Sequence, residues 1–438
     1  MAGDRTVCAG YQTGMTRRFL FLQGPHGPFF GALAKRLTQA GADVGRIGFT
    51  LGDKIFWGRL PRFEKFVGSL EQWRAALEDR IERDGTTDIV CYGGTRPIHV
   101  VAKEVAEGRD ITLHVFEEGY LRPYWVTYER RGTNAASRLM DIDTDRMDRA
   151  LTSRRVALRS VPDRWGAIRQ HIFWGAVYHG LLLIGSHRYR GFQPHRNPAP
   201  AGEFTLYLKH LLTLPARRLQ RRLATLRVHR GGFPYHVVLL QLAHDANFRD
   251  FGPFATQSDF LKEIFSGFAN GAPSHHHLVL KAHPLEDGRQ PLRPIIAHLT
   301  DMCRLQGRVH LITGGKTARL LDFATSAVTV NSTAAEQALW RGLPLKAMGR
   351  AVYHRPEFTS EQPLTDFFAS PEPPDHEAYL TYRRYLLQTS QIAGGFYSGG
   401  GRRAALQRLP DLMLASDDPY DLFEKSAATT RQHIQIVA

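Results

Sequence analysis

One repeated unit limits what this chain can fold into: a short apolar run, a glycine-bearing turn, then an amphipathic helix. Phe19-Leu20-Phe21-Leu22 leads into Gln23-Gly24-Pro25-His26-Gly27-Pro28-Phe29-Phe30, then a helical pattern over 33–40 that stops at Gly41. Strand, turn and helix in that order open a Rossmann-like sheet. Further strands are predicted over 44–49, 88–94 and 111–116, with helices over 70–84 and 98–106. The alternation predicts a parallel-sheet domain over 17–140. It resumes with strands over 235–242, 277–281, 309–312, 327–330 and 344–347. Helices over 254–268, 291–305, 316–324 and 334–341 separate them, predicting a second Rossmann-like domain over 233–355. The expected fold class is α/β, two Rossmann-like domains in a glycosyltransferase-B-like arrangement. Ligands of such sheets sit at the carboxyl ends of the strands.

The rest of the chain is of a different character. Residues 1–16 have no apolar pattern and are expected to be disordered, and nothing there resembles a secretory signal. Met15 before Arg17-Arg18 is an equally good start. Residues 141–232 form a helical, basic linking segment. Within it, 206–228 carries Lys209, His210, Arg217, Arg218, Arg221, Arg222 and Arg227 among leucines. That pattern fits a helix on an anionic membrane surface, or a solvated face between domains. Residues 171–186 are apolar, but His179 interrupts them and they fall short of the roughly 18 residues a membrane span needs. They read as an interfacial or buried helix. Residues 356–438 read as a helical tail packing back on the domains.

Charge narrows the partners. The 438 residues carry 57 basic and 42 acidic side chains, a net +15. An anionic partner accounts for this, and so does a general bias toward arginine. The basic stretch lacks the interleaved aromatics of a nucleic-acid stacking platform, so nucleic acid is not expected. Cys8, Cys91 and Cys303 are too far apart for a disulfide framework or a CxxC motif, which suits a reducing, cytoplasmic compartment. His275-His276-His277 has no spaced partner, so no metal site is expected.

Five constellations fall at predicted strand ends. Lys281-Ala282-His283-Pro284 puts a cation and an imidazole where both can donate to a phosphate, or is a surface loop. Asn331-Ser332-Thr333 precedes a helix whose free amides can hold a phosphate. Glu336 lies three residues after Thr333, which also fits an ordinary capping box. Leu240-Gln241 with Asp245 offers a carboxylate able to attack an anomeric carbon, or a helix-capping aspartate. Glu117-Glu118-Gly119-Tyr120-Leu121-Arg122-Pro123 offers a general acid/base, or is a charged turn. The Gln23–Phe30 loop lacks dinucleotide spacing and is expected to shape the acceptor side with Gln23, Gly24 and His26.

Taken in order, these motifs and the Gly342-Leu343-Pro344 turn resemble the KpsS/LipB family of capsule polysaccharide proteins. The resemblance implies a retaining β-Kdo transferase with CMP-Kdo as donor substrate and no separate cofactor or metal. It implies a phosphatidylglycerol-type lipid acceptor, a peripheral position on the cytoplasmic side of an inner membrane, and capsule assembly and export proteins as partners. Asp245 matches the proposed nucleophile, and Glu117 or Glu118 the acid/base. Lys281, His283, Asn331, Ser332 and Thr333 match the CMP-phosphate region, with Glu336 expected to join them, and Gln23, Gly24, His26, Arg122 and Gln241 are expected to contact substrate. The chain departs from the family at Phe251-Gly252, where a His-Ser pair is expected. Other readings are a non-catalytic export or scaffold component, and a transferase using another nucleotide sugar.

Overall fold

The computed structural model describes residues 16–122, 124–152, 168–189, 223, 226, 228, 230–242, 245–283, 286 and 291–425. The first domain runs β1 (Arg18–Phe21), α1 (Phe29–Gln39), β2 (Asp43–Gly48), α2 (Leu51–Trp57), β3 (Phe63–Lys65) and α3 (Leu70–Asp84). It continues through β4 (Asp88–Tyr92), α4 (Pro97–Glu107), β5 (Thr112–Glu118) and β6 (Trp125–Arg130). Two helices of the linking segment follow, α5 (Thr144–Thr152) and α6 (Ile168–Gly185). The second domain holds β7 (Tyr235–Leu239), α7 (Ala246–Phe251), α8 (Gln257–Gly271), β8 (His277–Lys281), α9 (Leu292–Met302) and β9 (Val309–Ile312). After these come α10 (Thr317–Leu321), β10 (Ser326–Thr329), α11 (Glu336–Leu339) and β11 (Leu345–Ala347). The tail is α12 (Leu364–Ala369), α13 (His376–Gln388), β12 (Gln391–Ala393), α14 (Gly399–Leu414) and α15 (Pro419–Lys425).

The second sheet is wholly parallel, in the order β11-β10-β7-β8-β9. The first sheet has the order β12-β6-β5-β4-β1-β2-β3. Its expected all-parallel character needs correcting, because β6 runs antiparallel to both β5 and β12. The tail also is not wholly helical: its strand β12 closes one edge of the first sheet. Gln391 secures that junction. Its side chain donates to Thr127 Oγ1 at 3.0 Å and accepts from the Tyr120 amide at 2.9 Å.

The two domains share a core. Tyr120, Leu121 and Trp125 of the first pack in one apolar cluster with Val237 and Leu345 of the second and Tyr379, Tyr382 and Tyr385 of the tail. The buried Arg355 guanidinium crosses between domains, donating to the carbonyls of Ile142 (2.8 Å) and Leu139 (2.7 Å). Apolar burial is the largest favourable contribution to folding, so this continuous core holds the domains in one arrangement. Deep in the first sheet, the Asp88 carboxylate takes bonds from Arg17 and from His114 Nε2, and these hold it well below the usual carboxylate range despite its burial.

Most of the basic stretch 206–228 lies outside the described residues, as do 1–15 and 426–438. The segment 171–186 falls within α6. One side of α6 rests on the first domain, where Trp174 meets Phe56 edge to face. Among the described residues, no helix is long and apolar enough to cross a membrane.

Candidate active site

β5 delivers Glu117 and Glu118 to the carboxyl edge of the first sheet. Neighbouring residues on a strand point to opposite faces, so the two carboxylates meet different surroundings. Glu118 is pinned: its Oε1 accepts from the hydroxyls of Tyr92 (3.2 Å) and Tyr397 (3.0 Å). Burial raises both phenols well above their ordinary value, so they remain proton donors. Glu117 lies over the turn after β4. A Cβ added to Gly93 would stand 3.7 Å from Glu117 Oε2, and Gly93 has φ +77°, which a side chain would strain. Burial first, and then the Glu118 charge, push Glu117 up to about 7, against the pull of Arg122 and Arg96. A carboxyl near 7 can both give and take a proton at neutral pH.

The Gln23–Phe30 loop follows β1. Gln23 is buried and donates from Nε2 to Tyr178 Oη of α6 at 2.9 Å. His26 stacks on Tyr178 with ring centroids 4.4 Å apart. Gly24 is required by close packing, since a Cβ there would stand 2.6 Å from the Phe30 ring. Arg122 is exposed beside the acidic pair.

The second sheet presents its half at the ends of β7, β8 and β10, three adjacent strands. Lys281 is buried and donates from Nζ to Ala282 O at 2.9 Å, so its ammonium sits at the strand-to-loop junction. His283 follows, part-buried, and Pro284 lies outside the described residues. Gln241 and Asn331 bond to each other: Gln241 Nε2 donates to Asn331 Oδ1 at 2.9 Å, and the Asn331 amide to Gln241 Oε1 at 3.1 Å. Asn331 Nδ2 also donates to Asn247 O at 2.7 Å. These two residues therefore shape the strand ends and hold α7.

Asp245 is the N-cap of α7, accepting from the Asn247 amide at 3.0 Å. The capping reading is realised, and the part-buried carboxylate lies beyond the end of β7, at the start of α7. The capping box expected of Thr333 and Glu336 does not form. Ser332 caps instead, accepting from the Ala334 amide at 3.2 Å, and Thr333 begins the short turn Thr333–Ala335. Glu336 points away into the core, where it accepts from Tyr382 Oη (2.9 Å) and Tyr379 Oη (3.0 Å) of α13. Burial pushes it up to about 7. It ties the tail to the second domain and is not placed to meet a phosphate. Glu336→Ala should cost about 2–4 kcal/mol in chemical denaturation, because two buried phenols lose their acceptor.

The two halves meet at one interface. α7 packs against the short turn Asn134–Ala136 of the first domain, and Arg350 reaches Ala135 O at 3.5 Å. The Thr133 hydroxyl, just before that turn, is 3.9 Å from where a Cβ on Gly94 would lie. The helix capped by Asp245 thus adjoins the loop beside the glycine turn under Glu117. At the opposite, amino end of the second sheet, His276 bonds His236 and His277 bonds His310, each at 2.9 Å. No group of three or more metal-type ligands occurs among the described residues.

Sequence reasoning missed Tyr92, Tyr397 and Tyr178. Tyr92 read as one more apolar strand residue. The only signal for Tyr397 was the surrounding run of glycines from Gly394 to Gly401.

The family described as capsule polysaccharide biosynthesis protein matches residues 87–397, which takes in β4 through Tyr397. The capsule polysaccharide modification protein LipB of Neisseria meningitidis serogroup B is 32% identical over 394 residues, covering 86% of this chain and 91% of that one. The capsule polysaccharide export protein KpsS of Escherichia coli is 28% identical over 398 residues, covering 87% and 97%. Among solved structures, the KpsC β-Kdo 2,7 transferase of Thermosulfurimonas dismutans is 14% identical, with a TM-score of 0.45 and coverage of 91% and 100%. The match extends over most of the chain and contains both halves of the site: this chain belongs to the capsule polysaccharide biosynthesis protein family.

Proposed function

We propose that the chain is a retaining glycosyltransferase that moves Kdo from CMP-Kdo to a phosphatidylglycerol-type lipid, starting the linker of a capsular polysaccharide. The observation that carries the reading is Glu117, a carboxyl held up to about 7 at the carboxyl edge of one sheet. Across the interface, Lys281 ends β8 of the other sheet and Asp245 caps α7, the helix that follows β7. Membership of a capsule biosynthesis family supplies the biological setting.

In the first step an Asp245 oxygen bonds to the anomeric carbon of Kdo. The bond from that carbon to the phosphate oxygen breaks, and its electron pair leaves with CMP. Lys281 and His283, with the amides after Ser332, neutralise the phosphate. In the second step the acceptor hydroxyl attacks the same carbon, gives its proton to Glu117, and Asp245 departs as carboxylate. Two inversions give net retention.

Incubating the full chain with CMP-Kdo and phosphatidylglycerol, followed by mass spectrometry of the lipid, tests this directly. A lipid heavier by one Kdo is expected. Unchanged lipid alongside a sugar-bearing product from another nucleotide donor would replace the donor. A second reading, a non-catalytic export component, is favoured by the capping role of Asp245 and by the export name of the KpsS relative. It requires that calorimetry with CMP show no binding.

A further inference from the structure

From Ile172 onward α6 is apolar but for His179, its other polar residues Arg169, Gln170 and His171 standing in the first turn, and among the described residues only one side is packed. Trp174, Tyr178 and Gly185 face the first domain: a Cβ on Gly185 would meet Leu51 at 2.5 Å, and the Trp174 indole donates to Tyr397 O at 3.1 Å. The opposite side carries Ile172 (61% exposed), Phe173 (57%), Leu183 (38%) and Ile184 (66%). Ala176, also exposed, falls between them on the same face. At 1.5 Å per residue, Ile172 to Ile184 make a ridge roughly 18 Å long. Such an exposed apolar patch marks an interaction surface.

Cations border the ridge. Beside the carboxyl end of α6 is a groove of about 670 Å³ lined by Leu51, Lys54, Ile55, Lys65, Arg188 and Tyr189, among others. Lys54, Lys65 and Arg188 are exposed, and no described carboxylate pairs with any of them. The carboxylates nearest in sequence are engaged elsewhere: Asp53 with Arg46, and Glu64 with Arg80 and Arg83. Ile55, 49% exposed, adds an apolar side chain to the groove.

We infer that α6 lies in the interface of an anionic phospholipid bilayer, its Ile172–Ile184 ridge among the acyl chains and Lys54, Lys65 and Arg188 on the headgroup phosphates. Apolar area beside a cluster of cations is the pairing such a surface recognises. α6 also reaches the acidic pair. Its Tyr178 holds Gln23 and stacks on His26, and its Trp174 bonds the carbonyl of Tyr397, whose hydroxyl holds Glu118. A lipid hydroxyl at the bilayer surface is thereby presented beside the acceptor loop. This deepens the transferase reading and rests on it for the lipid being the acceptor. The contact itself does not depend on the donor.

The test is co-sedimentation of the full chain with vesicles of phosphatidylcholine alone and of phosphatidylcholine mixed with phosphatidylglycerol, without nucleotide sugar. Binding to the mixed vesicles, weakened by salt, is expected. The triple variant Ile172→Ser, Phe173→Ser, Ile184→Ser should lose at least ten-fold in vesicle affinity. Its thermal unfolding should be unchanged, since all three side chains are exposed. Lys54→Glu, Lys65→Glu, Arg188→Glu should abolish the preference for anionic vesicles. Equal binding by the serine variant and the wild type would overturn the inference. So would a wild-type dimer that the serine changes dissociate without altering vesicle binding, since the ridge would then be a self-association surface. Transfer to a detergent-dispersed acceptor separates the two claims. Wild-type protein that transfers Kdo to the dispersed acceptor but does not bind the mixed vesicles defeats this inference alone, and wild-type protein that binds the vesicles but does not transfer from CMP-Kdo defeats the proposed function alone.

Discussion

Glu117→Gln is expected to lower the turnover number for Kdo transfer by about 10²–10⁴-fold while leaving CMP binding intact, the usual size of a general-base contribution. Steady-state rates and CMP calorimetry read the two effects. The substitution is nearly isosteric, so misfolding does not explain the loss. The pH profile adds a second readout. The acid/base must accept a proton in the second step, so the rate should rise as pH passes through about 7, where Glu117 ionises. Glu118→Gln should move that limb toward lower pH, because it removes a like charge that raises Glu117. Stability carries the opposite sign. The native carboxyl stays protonated up to about 7, above its ordinary value of 4.5. Between those two values the native state binds more protons, so this group's contribution is complete below about 4.5 and is lost as pH rises to 7. The Gln variant lacks that slope.

Asp245 gives the other large effect, and here the choice of substitution matters. Asp245→Asn should abolish transfer, by about 10⁴-fold or more, the scale seen when a covalent nucleophile is removed. It should leave stability nearly unchanged, because asparagine caps helices as well as aspartate does. Asp245→Ala loses the same activity and additionally costs about 1 kcal/mol from the lost N-cap bond to Asn247. Full transfer by the Asn variant would reduce Asp245 to a cap. Chemical denaturation alongside the transfer assay separates the two roles.

The sequence revealed the sheets because each buried parallel strand is a dense apolar run, as in Phe19–Leu22 and His277–Lys281. Strand ends were equally legible, and both halves of the site lie on them. What surrounds each residue was not. Glu336 satisfies a local capping pattern, but the tyrosines that claim it lie 43 and 46 residues further along the chain. Glu118 is held by Tyr397, at a separation of 279 residues. β12 is only Gln391-Ile392-Ala393, too short to show a period, and its strand character comes from β6 alone. Gln241 and Asn331 look like ligand groups in isolation, and only the pairing of β7 with β10 brings them together. Local pattern predicts local structure, whereas a side chain's partner is set by tertiary packing.

The last strand of the first sheet also bears on how the protein is made. β6 waits for β12, and the bond between Gln391 and Thr127 spans 264 residues. On a ribosome adding about 5–20 residues per second, the β6 edge stands open for roughly 13–53 s after its own synthesis. An unpaired strand edge is a template for aggregation. The first domain, complete in all but one strand, must therefore be sheltered through synthesis of the second. Overexpression at lower temperature or with chaperones, rather than truncation to the first domain, is the route to soluble protein.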